Sequence, residues 1–228
     1  MNTKIAKWLR WLGSSDTTGT IACELVNLAN IRKVQHGLQE IVAANPMLNR
    51  PCLFYTVEQT IYAQSVLLFI RRQVRPDRDS ISLFDLAEDM HENHHFITAD
   101  YYAGLYSRGK PDETKEEWKQ FGLNDFKKFQ APNKNCLNPE ILQEIRATLE
   151  KIANDSKPII DRRLAHLDRR EPQSVPTYGQ IEKWCDQLND IFRKLYLFLT
   201  ASDYLIGSNS DQEWREIFKF PWINSADK

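Results

Sequence analysis

The sequence predicts an all-α helical bundle, on three observations. Apolar residues recur at spacings of three and four in each periodic segment, the signature of a helix face packed on a core. Glycine is scarce, with 8 in 228 residues, about half the roughly 7% usual in globular chains. No alternating apolar/polar run of six or more residues occurs, and no hairpin dipeptide separates two apolar runs, so strands have no signal. A hydrophobic content of 42% is enough to bury a substantial core, which excludes wholesale disorder.

The elements follow in order. A first clear helix is predicted over 20–44, stopped at Asn45-Pro46 because the residue before a proline is pushed out of the α region. A second spans about 50–74, with Phe54, Val57, Ile61 and Leu68 as its stripe and Ala63, Leu67, Ile70 and Val74 broadening it. It is expected to be a central core helix. Ser82 with Asp85 resembles a capping box for a helix over about 83–94. Residues 99–106 and 112–129 read as helical. The stretch 131–138, with Pro132 and three Asn, reads as a loop and a subdomain junction. From Pro139, Leu142, Ile145, Leu149 and Ile152 mark one kinked helix or two, with a weak point at Lys157-Pro158. Thr177 and Gln180 form a second capping pair before the stripe Ile181, Trp184, Leu188, Ile191, Leu195 and Leu199. A short segment, 211–220, follows. The expected division is 1–45 as N-terminal helices packing on a bundle formed by 46–228.

Composition removes several function classes. Thirty Lys and Arg against 31 Asp and Glu give a net charge of −1, so any polyanion site must be local. Cys23, Cys52, Cys136 and Cys185 lie far apart with no C-x-x-C, which fits free thiols in a reducing cytosol. The N-terminal residues lack the apolar run of a signal peptide, and no apolar run approaches the roughly 20 residues that span a bilayer. A cytoplasmic location without membrane contact is expected. P-loop, G-x-G-x-x-G, zinc-ligand pairs and G-x-S-x-G are absent from the sequence.

The most informative stretch is Asp161-Arg162-Arg163-Leu164-Ala165-His166-Leu167-Asp168-Arg169-Arg170. In a helix, Arg162, His166 and Arg170 share one face, with Arg163 and Arg169 three residues either side of His166. Between Lys157 and Glu171, five basic residues face three acidic ones, a local surplus of two. A phosphodiester fits such a face, although a solvated helix surface is the commoner use of a basic stripe. The flanking arginines disfavour a further positive charge, which keeps His166 neutral near pH 7 and able to accept a proton. Arg71, Arg72, Arg75 and Arg78 could extend a track for RNA, or simply complement a helix C-terminus. His91, His94 and His95 are the one weak metal candidate, since helical spacing would place all three on one face. Trp184, Tyr196 and Tyr62 fall on or beside apolar stripes, so core packing explains them before base stacking does.

The string from Asp161 to Asp168, followed by Pro176-Thr177-Tyr178-Gly179, resembles the signature region of the HEPN superfamily in its phage abortive-infection branch. So do Ile70-Arg71-Arg72-Gln73-Val74, Asp79-Ser80-Ile81-Ser82-Leu83, and Trp214 to Phe218 with Pro221-Trp222. The resemblance implies a helical bundle of the HEPN type, with extra N-terminal and C-terminal helices, that dimerises and, in active members, cleaves RNA without metal or other cofactor. It implies a signature of Arg, four to six residues, then His, with both protomers' motifs meeting at the dimer interface. His166 matches the histidine and Asp161 the polar residue after the arginine. The arginine itself is replaced: Asp161, Ile160 and Ile159 occupy the three permitted positions. Either Arg162 serves, about 40° around an ideal helix from His166, or catalysis has been lost. If Ile160 marks the lost arginine, Ile160→Arg should raise cleavage, provided Ile160 lies outside the core.

The reading is a dimeric RNA-binding protein, and a ribonuclease if active, in phage defence or a toxin–antitoxin pair. His166, Arg162, Arg163 and Asp161 would carry the chemistry, with Arg169, Arg170, Arg71 and Arg72 holding RNA. An antitoxin or nucleotidyltransferase is a candidate partner. The rival is a catalytically silent dimeric interaction protein.

Overall fold

A computed structural model describes residues 3–14, 16–75, 80–160, 175–206 and 213–220. Its helices are α1 (Thr3–Leu12), α2 (Ile21–Ala44), α3 (Leu53–Val74), α4 (Leu83–Glu92), α5 (Ala99–Ser107), α6 (Asp112–Phe126), α7 (Pro139–Ile159) and α8 (Tyr178–Thr200). Single 3-10 segments occupy His94–Phe96 and Glu213–Lys219. No β-strand occurs among the described residues, only the isolated bridges Thr98 with Cys136 and Gln130 with Leu137. The all-α expectation holds.

Local chemistry sets most boundaries. Thr20 caps α2 by accepting from the Cys23 amide, and α2 ends one residue before Asn45, the residue preceding Pro46. Ser82 Oγ accepts from the Asp85 amide at 3.0 Å, the N-cap bond of the expected pair, and donates to the Asp85 carboxylate at 2.5 Å. Asn138 caps α7, with Pro139 at its first position. Thr177 accepts from the Gln180 amide at 3.2 Å to start α8. Pro158 lies in the last turn of α7, where its missing N–H costs a single helical bond, so α7 is one helix through Ile159.

Helix α8 is the spine. It packs against α1, α3, α4, α5 and α7, and buries Trp184, Leu188, Phe192, Leu195 and Leu199 on one face. Around it, α7 lies on α3 and α4, α2 on α3, and α5 with α6 as a helical hairpin. One continuous apolar cluster joins Ile5 and Trp8 of α1 to Leu149 of α7 and Leu195 of α8. The expected junction at 131–138 is a loop whose Leu137 is buried in that same cluster.

Helix α3 departs from expectation. Its buried face is Tyr62, Val66, Leu67, Ile70, Gln73 and Val74, whereas Phe54, Val57, Ile61 and Leu68 are exposed. The helix is apolar on two faces, and periodicity locates a face without saying what covers it.

Helix α1 is held by more than its apolar residues. Asp89 of α4 accepts hydrogen bonds from Lys4 Nζ at 2.7 Å, Lys7 Nζ at 3.0 Å, Trp8 Nε1 at 3.1 Å and Asn93 Nδ2 at 3.0 Å. Burial works against the Asp89 carboxylate, but these donors outweigh it and hold its pKa below the ordinary value of 3.8. A depressed carboxylate contributes stability that is present above its unfolded-state pKa and lost as pH falls through the folded one. Asp89→Asn is therefore expected to cost about 2 kcal/mol at neutral pH. Melting curves should show the gap to the parent protein closing below about pH 4. An equal gap at pH 3 and pH 7 would refute that role.

Candidate functional site

The basic string lies between α7 and α8. Asp161, Arg162, Arg163, His166, Arg169 and Arg170 fall outside the described residues, as do Arg78 and Pro221-Trp222. What the structure fixes is the two ends. On the α7 side, Ile160 is 2% exposed and joins the main core, with Ile159 packed against the same cluster. Two of the three positions where the arginine was sought are therefore apolar and turned inward. The proviso on Ile160→Arg fails, because Ile160 is a core residue.

On the α8 side, the first two turns carry a polar cluster that spans three helices. Glu182 receives the Tyr62 hydroxyl hydrogen bond from α3 and the Arg32 guanidinium from α2, with Arg32 Nε donating at 2.8 Å. Arg32 Nη2 reaches Asp186 Oδ1 at 2.7 Å, and His36 Nε2 stands 3.4 Å from Glu182 Oε2. Tyr178 stacks on Tyr62 with ring centroids 6.4 Å apart and planes 15° from parallel, and its hydroxyl donates to the Gln59 carbonyl. Burial opposes ionisation of Glu182, but the hydrogen bonds from Tyr62 and Arg32 and the guanidinium's charge win and hold its pKa below the ordinary value. Burial likewise opposes the charged Arg32, and Asp186 and Glu182 reverse it. Burial, with the Glu182 carboxylate, keeps the Tyr62 hydroxyl protonated. Beside it, burial pushes the Cys185 thiol up to about 12, which makes that cysteine inert as a nucleophile near neutral pH.

This cluster fixes the start of α8, and so one anchor of the segment that carries His166. Its members are up to 154 residues apart in sequence, which is why neither Arg32 nor His36 shows its carboxylate partner in the sequence. Glu182→Gln removes the charge that Arg32 and Tyr62 share. The expected result is a loss of about 2 kcal/mol in stability, read by thermal melting. A melting point within a degree of the parent's would show that the cluster does not hold α8 in place.

Next to it, a cleft of about 410 Å³ is lined by Arg32, Lys33, His36, Glu40, Asn189 and Arg215. The C-terminal 3-10 segment closes one side. Gly37 admits the Trp214 ring so closely that a Cβ there would lie 2.4 Å from it, and Arg215 donates to Glu40 at 2.8 Å.

The remaining candidates separate. Arg71 and Arg72 occupy the last turn of α3, where Arg72 lies over the Phe69 ring and 3.5 Å from Glu24. The metal candidate is not supported. Helix α4 ends at Glu92, so His94 and His95 continue in a 3-10 turn instead of the helical face that would align them with His91. His94 Nδ1 is taken up by the His91 carbonyl at 2.9 Å, and His95 packs on Phe96. Among the described residues no three His, Cys, Asp or Glu side chains converge on a metal position. Trp184 and Tyr62 are buried, consistent with core roles. No described helix is long and apolar enough to cross a membrane.

An all-helical bundle is the architecture that the resemblance to the HEPN superfamily implies. A family model described as HEPN AbiU2 matches residues 20–219, from α2 through the C-terminal 3-10 segment, with the His166 string inside it. The chain belongs to this HEPN family, in the abortive-infection branch of the superfamily. No curated protein and no solved structure matches it.

Proposed function

We propose that this chain is a HEPN-type abortive-infection protein that binds RNA as a homodimer and cleaves it without a metal. The carrying observation is the family match, which extends over both anchors of the His166 segment. In this reading His166 takes the proton of a ribose 2′-hydroxyl, the 2′-oxygen bonds to the adjacent phosphorus, and the bond to the 5′-oxygen breaks. The leaving oxygen is protonated by solvent water. The products are a 2′,3′-cyclic phosphate and a 5′-hydroxyl. Arg162 and Arg163 stabilise the charge that builds on the phosphoryl oxygens, and Arg169, Arg170, Arg71 and Arg72 hold flanking phosphates.

Binding tests the electrostatic half. Arg162→Glu with Arg163→Glu should weaken association with single-stranded RNA at least about tenfold and flatten the salt dependence by about two contacts, measured by fluorescence anisotropy at about 50 and 200 mM salt. Affinity and slope equal to the parent's would remove these arginines from the RNA site.

One observation favours a second reading. Ile160 is a core residue and Ile159 packs against the core where the family arginine would stand, which supports a catalytically silent member that keeps the fold for dimerisation or for docking another protein. RNA cleavage separates the two.

A further inference from the structure

We propose that the exposed apolar seam of α3, with Val34 of α2 beside it, is the surface on which a second copy of this chain packs, α3 antiparallel to α3. The inference rests on the homodimer reading above and names the face that serves it. Phe54, Val57, Ile61 and Leu68 are 58, 47, 57 and 43% exposed, and Val34 is 41% exposed. Ideal helical geometry puts these α3 side chains about opposite the face that α3 turns to the core. Among the described residues nothing covers them.

The size of the seam fits a protein partner. One Phe and four smaller aliphatic side chains, each about half exposed, leave on the order of 400 Å² of apolar surface in one strip. That is about the size of the largest apolar patch a monomer leaves bare. It is also close to the apolar share of the roughly 800 Å² that each partner contributes to a stable interface. A phosphate backbone finds no counter-charge on it.

The pattern fits a second copy in particular. A two-fold contact must be self-complementary, so the same strip has to match itself reversed. Phe54 and Leu68 each stand seven residues from Ile61. Antiparallel packing centred on Ile61 sets Ile61 on its own counterpart and Phe54 of one protomer against Leu68 of the other. Glu58, the acidic residue beside the seam, then faces Gln64, so like charges do not meet. Spacings of three, four and seven along α3 are those of a helix that interlocks with another helix. The seam also borders the polar cluster, since Tyr62 lines the same groove between α2 and α3 as Val34, Val57 and Ile61, and its hydroxyl bonds Glu182 of α8. A copy seated there brings the two α8 starts toward one interface.

The test uses the full chain. Light scattering at micromolar concentration should give about twice the 26.7 kDa chain mass for the parent protein. Ile61→Asp and Val57→Asp should each give the single-chain mass with unchanged helix content, a weakening of association of about a hundredfold or more. In a Cys52→Ser background, Ile61→Cys should form a disulfide-linked dimer on mild oxidation, and Cys52→Ser alone should not. A dimer that survives both aspartates overturns the seam and leaves the homodimer reading standing. A monomeric parent protein overturns both. Aspartate variants that dissociate while Ile61→Cys fails to cross-link overturn the antiparallel pairing about Ile61.

Discussion

Ile160→Arg is expected to destabilise the native fold strongly instead of restoring an active site. Ile160 is 2% exposed and sits in the continuous core, at the point where α7 gives way to the His166 segment. A guanidinium there loses its water and meets apolar neighbours, at a cost of about 4 kcal/mol or more. That is a large part of the roughly 5–15 kcal/mol that holds a domain together, and corresponds to a fall in melting temperature of about 8–16 °C. Ile160→Val keeps the shape and should cost about 1 kcal/mol. Thermal melts of the two variants check this, and an arginine variant that melts within about 2 °C of the parent would place Ile160 outside the core. The consequence for function is direct. If this chain cuts RNA, its phosphate-stabilising charge comes from another residue, and Arg162 and Arg163 are the nearest in sequence.

His166→Ala carries the second large effect. The arginines around His166 hold phosphate but cannot exchange a proton near neutral pH, whereas the imidazole can. Removing it should lower the cleavage rate by about 10²- to 10⁴-fold and leave RNA affinity within about threefold, since the phosphate contacts that set affinity remain. The split between rate and affinity is the informative quantity, read from single-turnover cleavage beside anisotropy. A variant that loses binding and cleavage together would make His166 part of the RNA-holding surface. A variant that cuts as the parent does would remove it from the chemistry.

Which parts of this molecule were legible in the sequence follows from the range of the forces involved. Helix ends are local events: Asn45-Pro46, Ser82 with Asp85, and Thr177 with Gln180 act within four residues, and each sits where the pattern put it. The α8 stripe was legible because a single face is apolar. Helix α3 was not, because both its faces are apolar and only the packing of α7 and α8 decides which one is buried. The spacing of His91, His94 and His95 assumes a helix, and α4 stops at Glu92. The Arg32–Glu182 and Lys4–Asp89 pairs join residues 150 and 85 apart, and no pattern in one chain reports such a meeting. Helix α1 could have been found, since Ile5, Trp8 and Leu12 keep helical spacing and all three are buried. The sequence offers a candidate site in the string around His166, which lies outside the described residues. Only the structure showed that Ile160 turns into the core and that Glu182, Arg32, Tyr62 and His36 brace the other end of that segment.

The most direct test of the central claim is the chemistry of the RNA ends. The parent protein, incubated with a mixed single-stranded RNA pool in the presence of EDTA, should leave 2′,3′-cyclic phosphate and 5′-hydroxyl termini, and His166→Ala should leave the pool intact while still binding it. RNA that is neither bound nor cut by the parent protein, or that is cut to 3′-hydroxyl ends, or cut equally well without His166, would contradict the account and leave the silent interaction protein as the reading to pursue.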